Sequence, residues 1–146
     1  MNFRLIIDPT QDETVVVTAH RRSKLTDRIE KLVMQPLQSD RIPAYIEDEV
    51  HMLPFSQIEC ITVIDSKTYA IDTQNRRYHV KMRLYELEEK LPAHFIRINK
   101  STIANELQLL KFTPSFSGAM DAVFKCGHKE YVSRRCFADI RRRYNL

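Results

Sequence analysis

Phe95-Ile96-Arg97-Ile98-Asn99-Lys100-Ser101 is the stretch on which the reading of this chain turns. Residues 95–98 read as a strand, and the polar Asn99-Lys100-Ser101 as the turn that ends it. Immediately upstream, Leu84, Leu87, Glu88 and Leu91 predict a short amphipathic helix stopped by Pro92. Before that come a buried strand over 58–64 and two strands, 69–73 and 77–83, joined at Gln74-Asn75. In the latter, Tyr78, Val80 and Met82 face one way, while His79, Lys81 and Arg83 form a cationic outer row. Downstream, Ile103, Leu107, Leu109 and Leu110 continue in strands or a short helix. Residues 122–125 and 130–132 bracket a turn containing Gly127. A last helix places Phe137, Ile140 and Tyr144 on one face, with Ser133 as its cap.

The N-terminal segment reads differently. Apolar, β-branched residues predict strands over 3–7, ended by Asp8-Pro9, and over 14–19. Leu25, Ile29, Leu32 and Val33 then fall on one helical face, capped by Ser23 or Thr26 and stopped by Pro36. A polar linker over 35–41 closes this unit. Residues 1–41 are therefore expected as a small α/β extension of strand, strand and helix, and 42–146 as a mainly β domain.

Charge separates the two halves. Residues 67–146 hold sixteen Lys/Arg against eight Asp/Glu, and residues 1–66 hold seven against eleven. A β unit with cations at its turns, beside an acidic segment, points to a polyanion as partner. Two glycines, Gly118 and Gly127, exclude a P-loop and a glycine-rich dinucleotide fold. The three cysteines, Cys60, Cys126 and Cys136, are an odd number without a secretory signal, which predicts free thiols and a cytoplasmic location. The five histidines are scattered, and Cys126 and Cys136 fit no zinc spacing, so neither a metal, a cofactor nor a catalytic site is expected.

The final helix carries two sets of arginines. Arg141, Arg142 and Arg143 lie in its last turn, where the macrodipole favours positive charge. Arg134 and Arg135 follow the Ser133 cap, in the first turn, where the dipole opposes cations. A phosphate relieves that conflict, because helix N-termini and guanidinium groups both bind it. An arginine there also suits a bidentate contact with guanine.

Several stretches together resemble the LytTR DNA-binding domain, the output module of LytR/AlgR-type transcription regulators. They are Ile58-Glu59-Cys60-Ile61, Tyr69-Ala70-Ile71-Asp72-Thr73, Arg83-Leu84-Tyr85-Glu86-Leu87-Glu88-Glu89-Lys90-Leu91-Pro92, the 95–101 stretch, and Tyr131-Val132-Ser133-Arg134-Arg135. The resemblance runs from about residue 42 to 146. It implies an elongated, mostly β fold with short helices, whose loops rather than a recognition helix enter the major groove of double-stranded DNA. Base-reaching residues come, in that family, from three places, which here hold Lys67, Asn99 with Lys100, and Arg135. This chain departs from members that place His at the first of these positions and Asn at the second, so its preferred base should differ too.

The resemblance thus implies a transcription regulator in which Lys67, Lys100 and Arg135 reach base edges. Arg97, Asn99, Ser101, Lys129, Ser133 and Arg134 then contact the DNA backbone. Family members often carry a receiver domain, for which residues 1–41 are too short. The chain looks like a stand-alone member acting as a homodimer on DNA, with control by a partner such as a small membrane protein and no small-molecule substrate. The competing reading is a protein-interaction module, an antagonist that binds a related regulator. RNA binding is a third; it asks for outward aromatic residues, whereas alternation directs Tyr69 and Tyr78 inward.

Overall fold

A computed structural model describes residues 4–34, 40–116 and 118–146. The chain divides into two units, Met1–Leu37 and Gln38–Leu146. Among the described residues, no helix is long and apolar enough to cross a membrane.

Among the described residues the first unit contains one helix, α1 (Lys24–Met34). Its start is capped reciprocally: the Ser23 N–H donates to Thr26 Oγ1 at 2.8 Å, and the Thr26 N–H to Ser23 Oγ at 3.3 Å. Arg22 pairs with Asp27 and Glu30 along the same turn. Pro36 and most of the expected linker lie outside the described residues. The strands expected over 3–7 and 14–19 are not found over residues 4–23, and Phe3 lies outside the described residues. Ile6, Ile7, Val15 and Val16 are well exposed. β-branched residues favour a strand only where a partner strand receives them, and among the described residues none pairs with this segment.

The second unit is built on a seven-stranded antiparallel sheet. Its strands are β1 (Arg41–Ile46), β2 (Glu49–Pro54), β3 (Ile58–Ile64), β4 (Lys67–Asp72), β5 (Arg77–Val80), β6 (Phe95–Asn99) and β7 (Thr102–Asn105). Their order across the sheet is β2-β1-β5-β4-β3-β7-β6. A second sheet holds β8 (Leu109–Pro114), β9 (Met120–Phe124) and β10 (Lys129–Val132), in the order β10-β9-β8. Two helices complete the unit, α2 (Leu84–Lys90) and α3 (Arg134–Tyr144).

Alternation along the strands divides the core between the two faces of the large sheet. One face gathers Ile42, Leu53, Ile61, Ala70, Tyr78, Val80 and Ile103 under Leu84, Leu87 and Leu91. On the other, Cys60, Ile71, Ile98 and Ala104 meet Phe124 and Val132 of the small sheet and Ile140 of α3. The expected inward set on β5 is found, with Tyr78 and Val80 buried. Tyr144, expected on the apolar face of the last helix, is about half exposed, because the helix outruns the core after Ile140.

Turn chemistry fixes the hairpins. Asp65 and Ser66 both take positive φ, 49° and 65°, in the two-residue turn between β3 and β4, the backbone that matches strand twist. The β4–β5 turn is organised by Asp72, which is 2% exposed. Its carboxylate accepts from the Gln74 and Arg76 N–H groups, from Arg76 Nε and from the Tyr78 hydroxyl, at 2.8 to 3.1 Å. Burial pushes this carboxyl up, but the Arg76, Tyr78 and Gln74 hydrogen bonds outweigh it and hold it below its ordinary value. Gly127, at φ 92°, turns the chain between β9 and β10.

Candidate nucleic-acid interface

Three separate parts of the chain meet at one end of the large sheet. The Val63 N–H, near the end of β3, donates to the Ser101 carbonyl at 2.9 Å. That bond sets the β6–β7 turn, with Lys100, beside the strand end from which the Lys67 turn springs. Asn99 Nδ2 donates to the Tyr131 carbonyl at 2.7 Å, and the Ser133 N–H to the Ile98 carbonyl at 2.9 Å. These two bonds dock the β10–α3 junction against the same turn. Lys67, Lys100 and the first turn of α3 thus occupy neighbouring positions although they are far apart in sequence.

Each side chain has a distinct environment. Lys67, Lys100, Arg134 and Arg135 are exposed, and none of them forms an ion pair among the described residues. Ser133 caps α3, its Oγ accepting from the Cys136 N–H at 3.2 Å. No acidic residue occupies the first turn of that helix. Two arginines therefore stand at a positive helix end without a protein counterion, an arrangement that attracts an anion.

Asn99, Arg97 and Ser101 are committed within the protein. Asn99 is 2% exposed, and its Oδ1 accepts from the Ser101 N–H at 2.8 Å and from Ser101 Oγ at 3.1 Å. Its amide is used up in shaping the turn and tying it to β10. Arg97 Nε donates to Glu88 of α2 at 2.6 Å, and another guanidinium N–H to the Lys100 carbonyl at 2.9 Å. Lys129 is exposed but starts β10, about 13 Å of strand from Ser133 at 3.3 Å per residue. It is not gathered with the others.

Sequence reasoning missed three contributors. Glu88 anchors Arg97 from another element. Tyr131 is 49% exposed and shares the outer face of β10 with Lys129, while Val132 points inward. The alternation of β10 was the signal for it. A buried polar chain also crosses between the sheets: Thr62 Oγ1 meets Thr102 Oγ1 at 2.9 Å, Thr102 Oγ1 donates to Glu130 Oε2 at 3.4 Å, and Glu130 Oε1 pairs with His128 Nε2 at 2.9 Å. Beside it, burial raises the Cys60 thiol well above its ordinary range.

A mainly β domain that presents uncompensated cations from turns at one end of a sheet has the form of a nucleic-acid-binding module. The family model for the LytTr DNA-binding domain matches residues 48–145, and the chain belongs to that family. It is similar to proteins described as uncharacterized HTH-type transcriptional regulators of Staphylococcus aureus. The one from strain NCTC 8325 is 31% identical over 149 residues, covering 100% of this chain and 99% of its own; the one from strain N315 matches to the same extent. Among solved structures, the LytTr DNA-binding domain of a Bacillus cereus protein aligns with a TM-score of 0.66 and 23% identity. It covers 74% of this chain and 99% of its own, and it supports the fold.

Proposed function

We propose that this protein is a cytoplasmic transcription regulator that binds double-stranded DNA sequence-specifically through turns inserted in the major groove. The carrying observation is the docking of the β6–β7 turn against the β10–α3 junction by Asn99 and by the Ser133–Ile98 bond. It ties the turn that carries Lys100 to the junction that precedes Arg135, and the Val63–Ser101 bond ties that turn to the end of β3, next to the turn before Lys67. In this reading Lys67, Lys100 and Arg135 reach base edges, and Arg134 and the exposed Lys129 neutralise phosphates. Asn99, Arg97 and Ser101 act indirectly, by holding the turn in shape. Among the described residues α1, α2 and α3 are separated by strands and form no helix-turn-helix, which favours turns as the reading elements.

The first unit supplies the second half of the proposal. No residue of α1 is buried, and Leu25, Leu32, Val33 and Met34 are among its exposed residues. An amphipathic helix with its apolar side open is suited to a partner, either a second copy on a repeated DNA site or a controlling protein such as a small membrane protein. Selection of duplexes from a random library, followed by anisotropy titration of the best one at several salt concentrations, tests the reading. Enrichment of a repeated half-site is expected, with log K falling by about 0.9 per phosphate neutralised. Weak binding without sequence preference would overturn it and favour a protein-binding antagonist.

A further inference from the structure

The polar groups buried between the two sheets are more varied than packing requires. Cys60 is fully buried on β3, beside a bulge that shifts the register against β4 between Ile58 and Cys60. His128 and Glu130 stand two residues apart at the β9–β10 turn and on β10, so strand alternation directs both toward the same side. One ligating atom of each of Cys60, His128 and Glu130 lies within 4.8 Å of the other two. A sulfur, an imidazole nitrogen and a carboxylate oxygen thus converge from strands remote in sequence.

A tetrahedral zinc ion lies about 2.0–2.3 Å from such donors, which places them roughly 3.3–3.7 Å from each other. From within 4.8 Å of one another, the donors have about 1 Å or less to close, by rotation of the His128 and Glu130 side chains. Both are about one-fifth exposed, at 21% and 18%, which leaves an ion a way in from the hairpin. The Thr102 hydroxyl donates to the second oxygen of Glu130 and is itself bonded to Thr62, the kind of outer hydrogen bond that orients a ligating carboxylate. Glu59 adds an independent sign: it is 1% exposed, and its Oε2 has no hydrogen-bond partner.

We propose that Cys60, His128 and Glu130 form a site for a zinc-class divalent cation that clamps the β9–β10 hairpin to β3. The ion takes the place of the hydrogen bond between His128 and Glu130, and the Cys60 thiol releases its proton to solvent as the metal–sulfur bond forms. A water molecule completes the coordination. Magnesium and calcium, which take oxygen ligands, do not suit this donor set. The site depends only on groups within the second unit and stands apart from the DNA-binding reading.

The test is cobalt titration of the metal-stripped full chain under a non-chelating reductant. One equivalent is expected to give a near-ultraviolet thiolate-to-cobalt band with intense tetrahedral visible bands, displaced by zinc. Cys60→Ser should abolish the thiolate band, His128→Gln and Glu130→Gln should each weaken cobalt binding at least about tenfold, and Cys136→Ser should bind as the unaltered chain does. Absence of the band, or a band that survives Cys60→Ser, overturns the proposal. Should Cys60→Ser fail to fold by circular dichroism, unaltered cobalt affinity in both His128→Gln and Glu130→Gln overturns it as well.

Discussion

Replacing Asn99 by alanine separates a residue that shapes the interface from one that touches DNA. Asn99 makes three hydrogen bonds, to the Tyr131 carbonyl, the Ser101 N–H and the Ser101 hydroxyl. At about 1 kcal/mol net for each neutral bond, the substitution should destabilise the fold by about 2–3 kcal/mol. The penalty stays near that sum because Tyr131 is exposed and Ser101 half-buried, so water reaches the groups left behind. The bond to Tyr131 is the one that ties the Lys100 turn to the β10–α3 junction. Re-ordering that turn on DNA, at about 1–1.5 kcal/mol, should weaken binding by up to about tenfold. Urea denaturation and anisotropy on the selected duplex measure the two effects. The decisive quantity is the slope of log K against log salt. It should be unchanged in Asn99→Ala, whereas Arg134→Ala, which removes one phosphate contact, should reduce it by about 0.9. A slope lowered in Asn99→Ala with stability intact would mean that the amide contacts DNA itself, and the indirect role would be wrong.

Other expectations follow from single groups. Arg135→Ala should lower affinity for the selected duplex and flatten discrimination at one base pair by about 1–3 kcal/mol, read by competition with single-substituted duplexes. Ser133→Ala removes the cap of α3 and should lower stability by about 1 kcal/mol in urea titration. Asp72 has its carboxyl held below the ordinary range in the fold, so it stabilises above the unfolded-state pKa of about 3.9, and that stability is lost as pH falls through the folded value. Asp72→Asn should therefore destabilise at neutral pH by about 1–3 kcal/mol and flatten the acid limb of the stability profile measured by thermal melts.

Much of the second unit was legible because its elements are local. The alternation of Tyr78 and Val80, the Leu84, Leu87 and Leu91 stripe before Pro92, the Gly127 turn and the Ser133 cap each follow from a few neighbouring residues. The N-terminal strands misled because Ile6, Ile7, Val15 and Val16 carry β propensity without a partner to pair with. Asn99 misled in another way: a polar residue in a turn reads as a surface group, and only the approach of Tyr131 reveals its inward amide. The grouping of Cys60 with His128 and Glu130 was beyond any spacing rule, since it arises from the facing of two sheets. Lys67, Lys100 and Arg135 were suggested by resemblance, while the bonds that tie together the segments carrying them, Val63 to Ser101, Ser133 to Ile98 and the Asn99 amide to Tyr131, show only in the fold.

The turn ahead of Lys67 has a further consequence. Asp65 and Ser66 hold left-handed backbone without glycine, a conformation that costs an L-residue roughly 1–2 kcal/mol. Glycine there would relax the fold but would let the turn sample many shapes. A side-chain-bearing turn restricts those shapes before any ligand arrives, so less conformational entropy is surrendered on association. If the chain reads DNA as proposed, the small penalty in the folded state fixes the backbone from which Lys67 springs, which would favour selectivity among sequences over indiscriminate attraction to phosphate.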